Sequence, residues 1–108
     1  MLIFEQSGRF AVVLVNPDIP RFASNNRTVA TPSEFEAAYK GSFASFGRYS
    51  VTEADRTFVF HMEGSTFPNF NGVDQKRIIK SLTDEEFNFV SPTPPIGGTS
   101  EFRFRRVK

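Results

Sequence analysis

The single histidine, His61, falls in a stretch where Phe58, Phe60 and Met62 alternate with Val59, His61 and Glu63. That alternation over Thr57 to Gly64 is the period of a strand with one apolar face, so the imidazole and the Glu63 carboxylate share the other face. An imidazole titrates near neutrality and can serve as acid, base, metal ligand or hydrogen-bond partner. Downstream, Val73 to Leu82 sets Val73, Gln75, Arg77 and Ile79 against Asp74, Lys76 and Lys80. A chain reversal centred near Pro68 puts His61 across from Gln75 and Val59 across from Arg77. His61, Glu63, Gln75 and Arg77 are thereby expected on one patch. There Arg77 can bind a carboxylate or enolate oxygen while Glu63 tunes His61. The plainer expectation is that Glu63 and Arg77 neutralise each other and that His61 is structural, bonded to Gln75 or Tyr49.

Other chemistries have less support in the residues. One histidine without cysteine needs several carboxylates to hold a metal, and Glu63 alone shares its face, so no metal site is expected. A Ser-His-Asp arrangement using Ser65 and Asp74 lacks a nucleophile elbow. Gly97-Gly98 precedes a strand and not a helix, so it does not build a phosphate loop. No cofactor is expected. Thirteen basic side chains against twelve acidic ones leave a net charge of +1, which argues against nucleic acid or an anionic membrane as partner. The basic tail Arg103, Arg105, Arg106 and Lys108 reads as the solvated side of a terminal strand.

The elements that must position the patch are strands. The chain's 108 residues make one domain, residues 1–108, with 14 Phe and no Trp or Cys, so its interior is aromatic and independent of disulfides. No leader-like start or bilayer-length apolar run appears, and a cytoplasmic location is expected. Leu2-Ile3-Phe4 and Phe10 to Val15 form a hairpin around Gln6-Ser7-Gly8, where Gly8 can take a positive φ. Ala11 to Val15 is apolar on both faces, as for a strand covered twice or lying at an interface. Asn16-Pro17-Asp18-Ile19-Pro20 stops it, and Arg21 to Val29 is a polar loop. Thr31-Pro32-Ser33-Glu34 carries a capping box and opens a short helix to Tyr39 or Lys40, ending at Gly41. Phe35, Ala38 and Tyr39 suffice to dock it as a lid or plug. Phe43 to Thr52, the His61 strand, Val73 to Leu82, Phe87 to Val90 and Glu101 to Val107 follow, with Ser91 to Ser100 as a loop. The expected fold is mainly β: an antiparallel up-and-down barrel of seven or eight strands with one short α-helix.

Gly8-Arg9-Phe10, Pro20-Arg21-Phe22-Ala23-Ser24, Phe46-Gly47-Arg48-Tyr49, His61-Met62-Glu63-Gly64-Ser65 with Pro68-Asn69, Gly72 with Gln75 and Arg77, and Phe104-Arg105-Arg106-Val107 occur in this order. Together they resemble the lipocalin-like domain family of small bacterial and fungal proteins. The resemblance implies a calycin-type barrel with an internal cavity, and it supplies a fold more firmly than a function. Two departures stand out. Phe70 occupies a position where a Trp is usual, which keeps an aromatic wall. The family's Gly-x-Trp strand ahead of the segment matching Leu2 to Gln6 is missing, so either the chain begins late or the barrel closes by other means. An open barrel exposes backbone groups along Leu2 to Glu5 and along the last strand, and pairing with another copy answers that, so a homodimer is expected.

The functional expectation is a binding module whose Phe-lined cavity holds a modest apolar or aromatic metabolite. Its ligand-binding set is His61, Gln75, Arg77, Tyr49, Glu63 and Asn69. Two alternatives stand beside it: an isomerase or cyclase in which His61 or Glu63 moves a proton, and a non-catalytic dimer with a filled core.

Overall fold

The computed structural model describes residues 1–92 and 99–106. Most of the loop expected over Ser91 to Ser100, and the end of the last expected strand, therefore lie outside the described residues. Seven strands follow one another as a meander: β1 (Leu2–Phe4), β2 (Arg9–Val15), β3 (Ser42–Thr52), β4 (Thr57–Ser65), β5 (Asp74–Leu82), β6 (Glu86–Ser91) and β7 (Ser100–Arg105). Each pairs antiparallel with its sequence neighbours in one sheet ordered β1 to β7. The sheet curls into a nearly closed barrel, with β1 and β7 as its two unpaired edges.

Alternation along every strand sends one set of side chains inward. Phe10, Val12, Phe58, Phe60, Met62, Phe70 and Phe89 are buried, with Leu2, Leu14, Phe43, Tyr49, Ile79, Phe87, Phe102 and Phe104 packed against them. Phe58 is 2% exposed and sits at the centre of a ring cluster, with the Phe60, Phe89 and Phe87 centroids at 5.0, 5.1 and 5.4 Å. A buried Phe contributes about 1.5–3 kcal/mol relative to exposure, and edge-to-face pairs add about 0.5–1.5 kcal/mol each. These rings hold the barrel together.

The β4–β5 register differs from the expected one. His61 pairs with Asp74, Phe60 with Gln75, Val59 with Lys76 and Phe58 with Arg77. The reversal is set by a 3-10 turn at Pro68–Phe70, whose Phe70 is buried, and by Gly72 at φ 74°. Moving the pairing by one residue exchanges the faces of the whole second strand. Gln75, Arg77 and Ile79 therefore turn to the apolar interior, and Asp74 and Lys76 join His61 outside.

Two family-like segments acquire a geometric reason. The β3–β4 ladder shifts between Phe46 and Gly47, a bulge that brings the backbones together. A Cβ on Gly47 would lie 2.1 Å from the His61 carbonyl oxygen, so only glycine fits. Phe46 pairs with Gly64 and lays its ring across it on the outer wall, where a Cβ would meet Phe46 Cε1 at 2.4 Å.

The helix α1 (Pro32–Lys40) forms as its capping box predicts: Thr31 Oγ1 accepts from the Glu34 amide at 3.2 Å, and Glu34 Oε1 accepts from the Thr31 amide at 2.8 Å. Glu34 Oε2 also accepts from the Ala23 amide at 2.9 Å. These bonds, from Thr31 first and then Ala23, hold the Glu34 carboxyl below its ordinary pKa. Gly41 ends the helix at φ −88°, an ordinary conformation; its lack of a side chain instead admits Ile19, whose Cγ1 would sit 2.6 Å from a Cβ. No residue of α1 is buried, and none lines the barrel's two interior chambers. The helix is a surface brace, held by Tyr39 Oη donating to the Thr66 carbonyl and Ser42 Oγ donating to that of Ala38, and not the expected plug.

Candidate functional site

The inward face of the strands borders two chambers, both open in part to solvent. One, of about 230 Å³, is walled by Phe60, Met62, Phe70, Phe89 and Phe102 and lined on one side by Arg77, Ser91 and Ser100. The other, of about 460 Å³, lies toward the β3–β4 and β5–β6 turns among Phe4, Tyr49, Phe58, Leu82 and Phe87. Leu2 and Phe104 line both, so the chambers adjoin along the open seam between β1 and β7.

Arg77 is the polar centre of the inner chamber. Only 6% of the residue is exposed; its guanidinium carbon lies 5.5 Å from the Phe60 ring centroid, and Nη1 donates to the Lys76 carbonyl at 3.1 Å. Among the described residues no carboxylate comes within ion-pair distance of it, and residues 93–98 and 107–108 contain no Asp or Glu. Burial pushes its pKa down to about 10, because the charged form has lost water. Even there it remains a cation at neutral pH.

Ser91 is 1% exposed, and its Oγ has no hydrogen-bond partner among the described residues. It pairs with Ser100 on β7. On its other side, the pairing of Ile78 with Val90 places Ser91 beside Arg77. A guanidinium and two hydroxyls thus run across three neighbouring strands on an otherwise aromatic wall.

The rest of the expected patch is dispersed. His61 stands on the outer wall with its side chain 41% exposed, its Nδ1 2.8 Å from Asp74 Oδ1 and its Nε2 2.9 Å from Ser50 Oγ. Its partners are thus Asp74 and Ser50, not Gln75 or Tyr49. The hydroxyl, imidazole and carboxylate stand in the order of a nucleophile, a base and its orienting group. They lie on the convex surface, however, away from both chambers. Glu63 also faces outward and pairs with Arg9 at 3.1 Å, not with Arg77. Tyr49 does line the larger chamber, with its hydroxyl donating to the Glu5 carbonyl at 2.8 Å. Gln75 shares Arg77's inward face but lines neither chamber, and Asn69 is exposed on the 3-10 turn. The structure brings together Arg77 and the aromatic wall, with Tyr49 in the adjoining chamber. It does not bring His61, Glu63 or Asn69 to them.

Sequence reasoning missed Ser91, Ser100 and Ser50. Ser91 continues the inward alternation of Phe87 and Phe89, and that phase was the available signal. Ser50 becomes visible only once the β3–β4 register is known.

Residues 1–100 match the family model described as a lipocalin-like domain. No curated protein matches the chain. No solved structure matches it either.

Proposed function

Since the chain belongs to the lipocalin-like domain family, we propose that it is a binding protein that holds a small, largely apolar molecule inside the barrel. The observation that carries this reading is the pair of adjoining phenylalanine-walled chambers, of about 230 and 460 Å³. Small-molecule sites are concave, mostly apolar, and fixed by a few polar groups. Arg77 and Tyr49 are such groups here. The open volume favours this reading over a filled, purely structural core. His61 and Glu63 face away from both chambers, which removes the groups that the isomerase or cyclase reading needs inside them.

Native mass spectrometry of freshly purified protein, followed by titration with the neutral dye Nile red, tests the reading. A retained small molecule, or saturable binding near one dye per chain, is expected. A bare mass together with linear, non-saturating dye fluorescence counts against a ligand cavity.

We propose in addition that the chain pairs with a second copy along its β1–β3 side. Ile3, Val13, Val15 and Phe46 are about half or more exposed on that outer wall, next to the unpaired edge of β1. Exposed apolar surface and free strand edges both favour association. Light scattering behind size exclusion should give twice the chain mass at micromolar concentration. Val13→Lys should return it to the single-chain mass, and a single-chain mass for the unaltered protein would remove the proposal.

A further inference from the structure

We infer, resting on the binding role proposed above, that the ligand is an anionic amphiphile: a monocarboxylate whose head lies against Arg77, Ser91 and Ser100 and whose apolar tail follows the phenylalanine wall. Three observations converge on this class. First, Arg77 brings a positive charge to the inner chamber, and no acidic side chain lines that chamber. An isolated charge in an apolar interior is costly unless paired, and a ligand carboxylate supplies the missing charge. A cationic ligand would add to the cost, and a neutral one would leave it unchanged.

Second, the remaining donors suit a planar head group. A guanidinium presents five N–H donors in a rigid fork that matches the two oxygens of a carboxylate, and among the described residues only Nη1 donates to a protein acceptor. Ser91 Oγ has no partner among the described residues, and Ser100 faces it across the β6–β7 pair. Both hydroxyls can donate to an anion held by Arg77. One cation with two neutral donors balances a single negative charge, which favours a monoanion over a phosphate dianion.

Third, the wall around this polar row is made of hydrocarbon. Phe60, Met62, Phe70 and Phe89 surround it, and Leu2 and Phe104 carry the apolar lining into the larger chamber. A head at Arg77 with a tail directed toward that chamber uses both volumes. The larger chamber carries Arg105 and Arg106 at its rim together with Glu86, which stands opposite Arg105, so the charged lining there sums to a single positive charge.

Isothermal titration with decanoate, 1-decanol and decylamine at pH 8 separates the head group from the tail. In the unaltered protein decanoate should bind at least about ten-fold tighter than 1-decanol, with decylamine weakest. Arg77→Met keeps an unbranched apolar side chain and should bring decanoate and decanol within about two-fold of each other, with decanol affinity unchanged. Ser91→Ala is the milder second variant, should Arg77→Met not fold. It should weaken decanoate about three-fold and leave decanol alone, about the net contribution of one ordinary hydrogen bond. Equal binding of decanoate and decanol to the unaltered protein overturns the anionic assignment and leaves the cavity reading standing. A decanoate preference that survives both substitutions overturns the assignment to this row of residues. If neither decanoate nor decanol binds, the anionic assignment falls; if Nile red also fails to saturate, the cavity reading falls with it.

Discussion

His61 on β4 and Arg77 on β5 belong to one hairpin and are both basic, yet they meet opposite surroundings. His61 stands on the outer wall between Ser50 and Asp74, each within 2.9 Å, with water at hand. Arg77 stands on the inner wall, buried against Phe60 without a counter-charge among the described residues. The first is satisfied by the protein and can be spared at little cost. The second is buried with one backbone acceptor and an aromatic ring but no counter-charge among the described residues, and residues of that kind concentrate at functional sites. A group's chemical versatility therefore says less about its role than the wall it faces.

The contrast is tested most severely on the aromatic side. Phe58→Ala should cost about 3–5 kcal/mol in urea-induced unfolding, because its ring touches four other Phe rings. Its outward neighbour Val59, cut to Ala, should cost well under half of that; equal losses would mean that the two walls are not distinct. Gly47→Ala comes next, at about 2–3 kcal/mol by thermal unfolding, because its methyl group would drive into the His61 carbonyl.

Arg77→Met should go the other way, stabilising the fold by about 1–2 kcal/mol at pH 7 in the absence of ligand. The sign of its pH dependence follows from the depressed pKa. Above about pH 10, and below the ordinary arginine pKa, the unfolded chain keeps the Arg77 proton while the folded one releases it, so this residue's penalty is full below pH 10 and is relieved above it. The stability difference between variant and parent should shrink between pH 7 and pH 10.5, and a difference that grows would contradict the buried placement. The smallest effect belongs to the outer wall. His61→Ala should change stability by no more than about 0.5 kcal/mol, since exposed pairs contribute little, and should leave decanoate affinity unaltered in the same titration.

Much of the fold was legible in the sequence because it depends on phase within each strand. Phe58, Phe60 and Met62 declare one face of β4 without knowledge of any partner, and Thr31 to Glu34 declare the start of α1 through bonds made within one turn. The candidate site was less legible because it depends on phase between strands. The turn from Ser65 to Gly72 fixes which residue meets His61, and a one-residue difference there separates His61, on the outer wall, from Arg77 and Gln75, which share the inward face. Ser91 and Ser100 are far enough apart in sequence that only the β6–β7 pairing brings them together. The bulge at Gly47 was present in the letters as Phe46-Gly47 but had no meaning until the opposing backbone was in place.

The seam between β1 and β7 gives the barrel a weak side. β1 is three residues long and, among the described strands, pairs with β2 alone, while Leu2 and Phe4 supply part of the chamber wall. So short an edge strand opens at a small fraction of the global unfolding free energy, and it can do so while the other six strands stay in place. Amide protons of β1 should therefore exchange with solvent sooner than those of β4, and a rate that slows when decanoate is added would tie this edge to the proposed pocket.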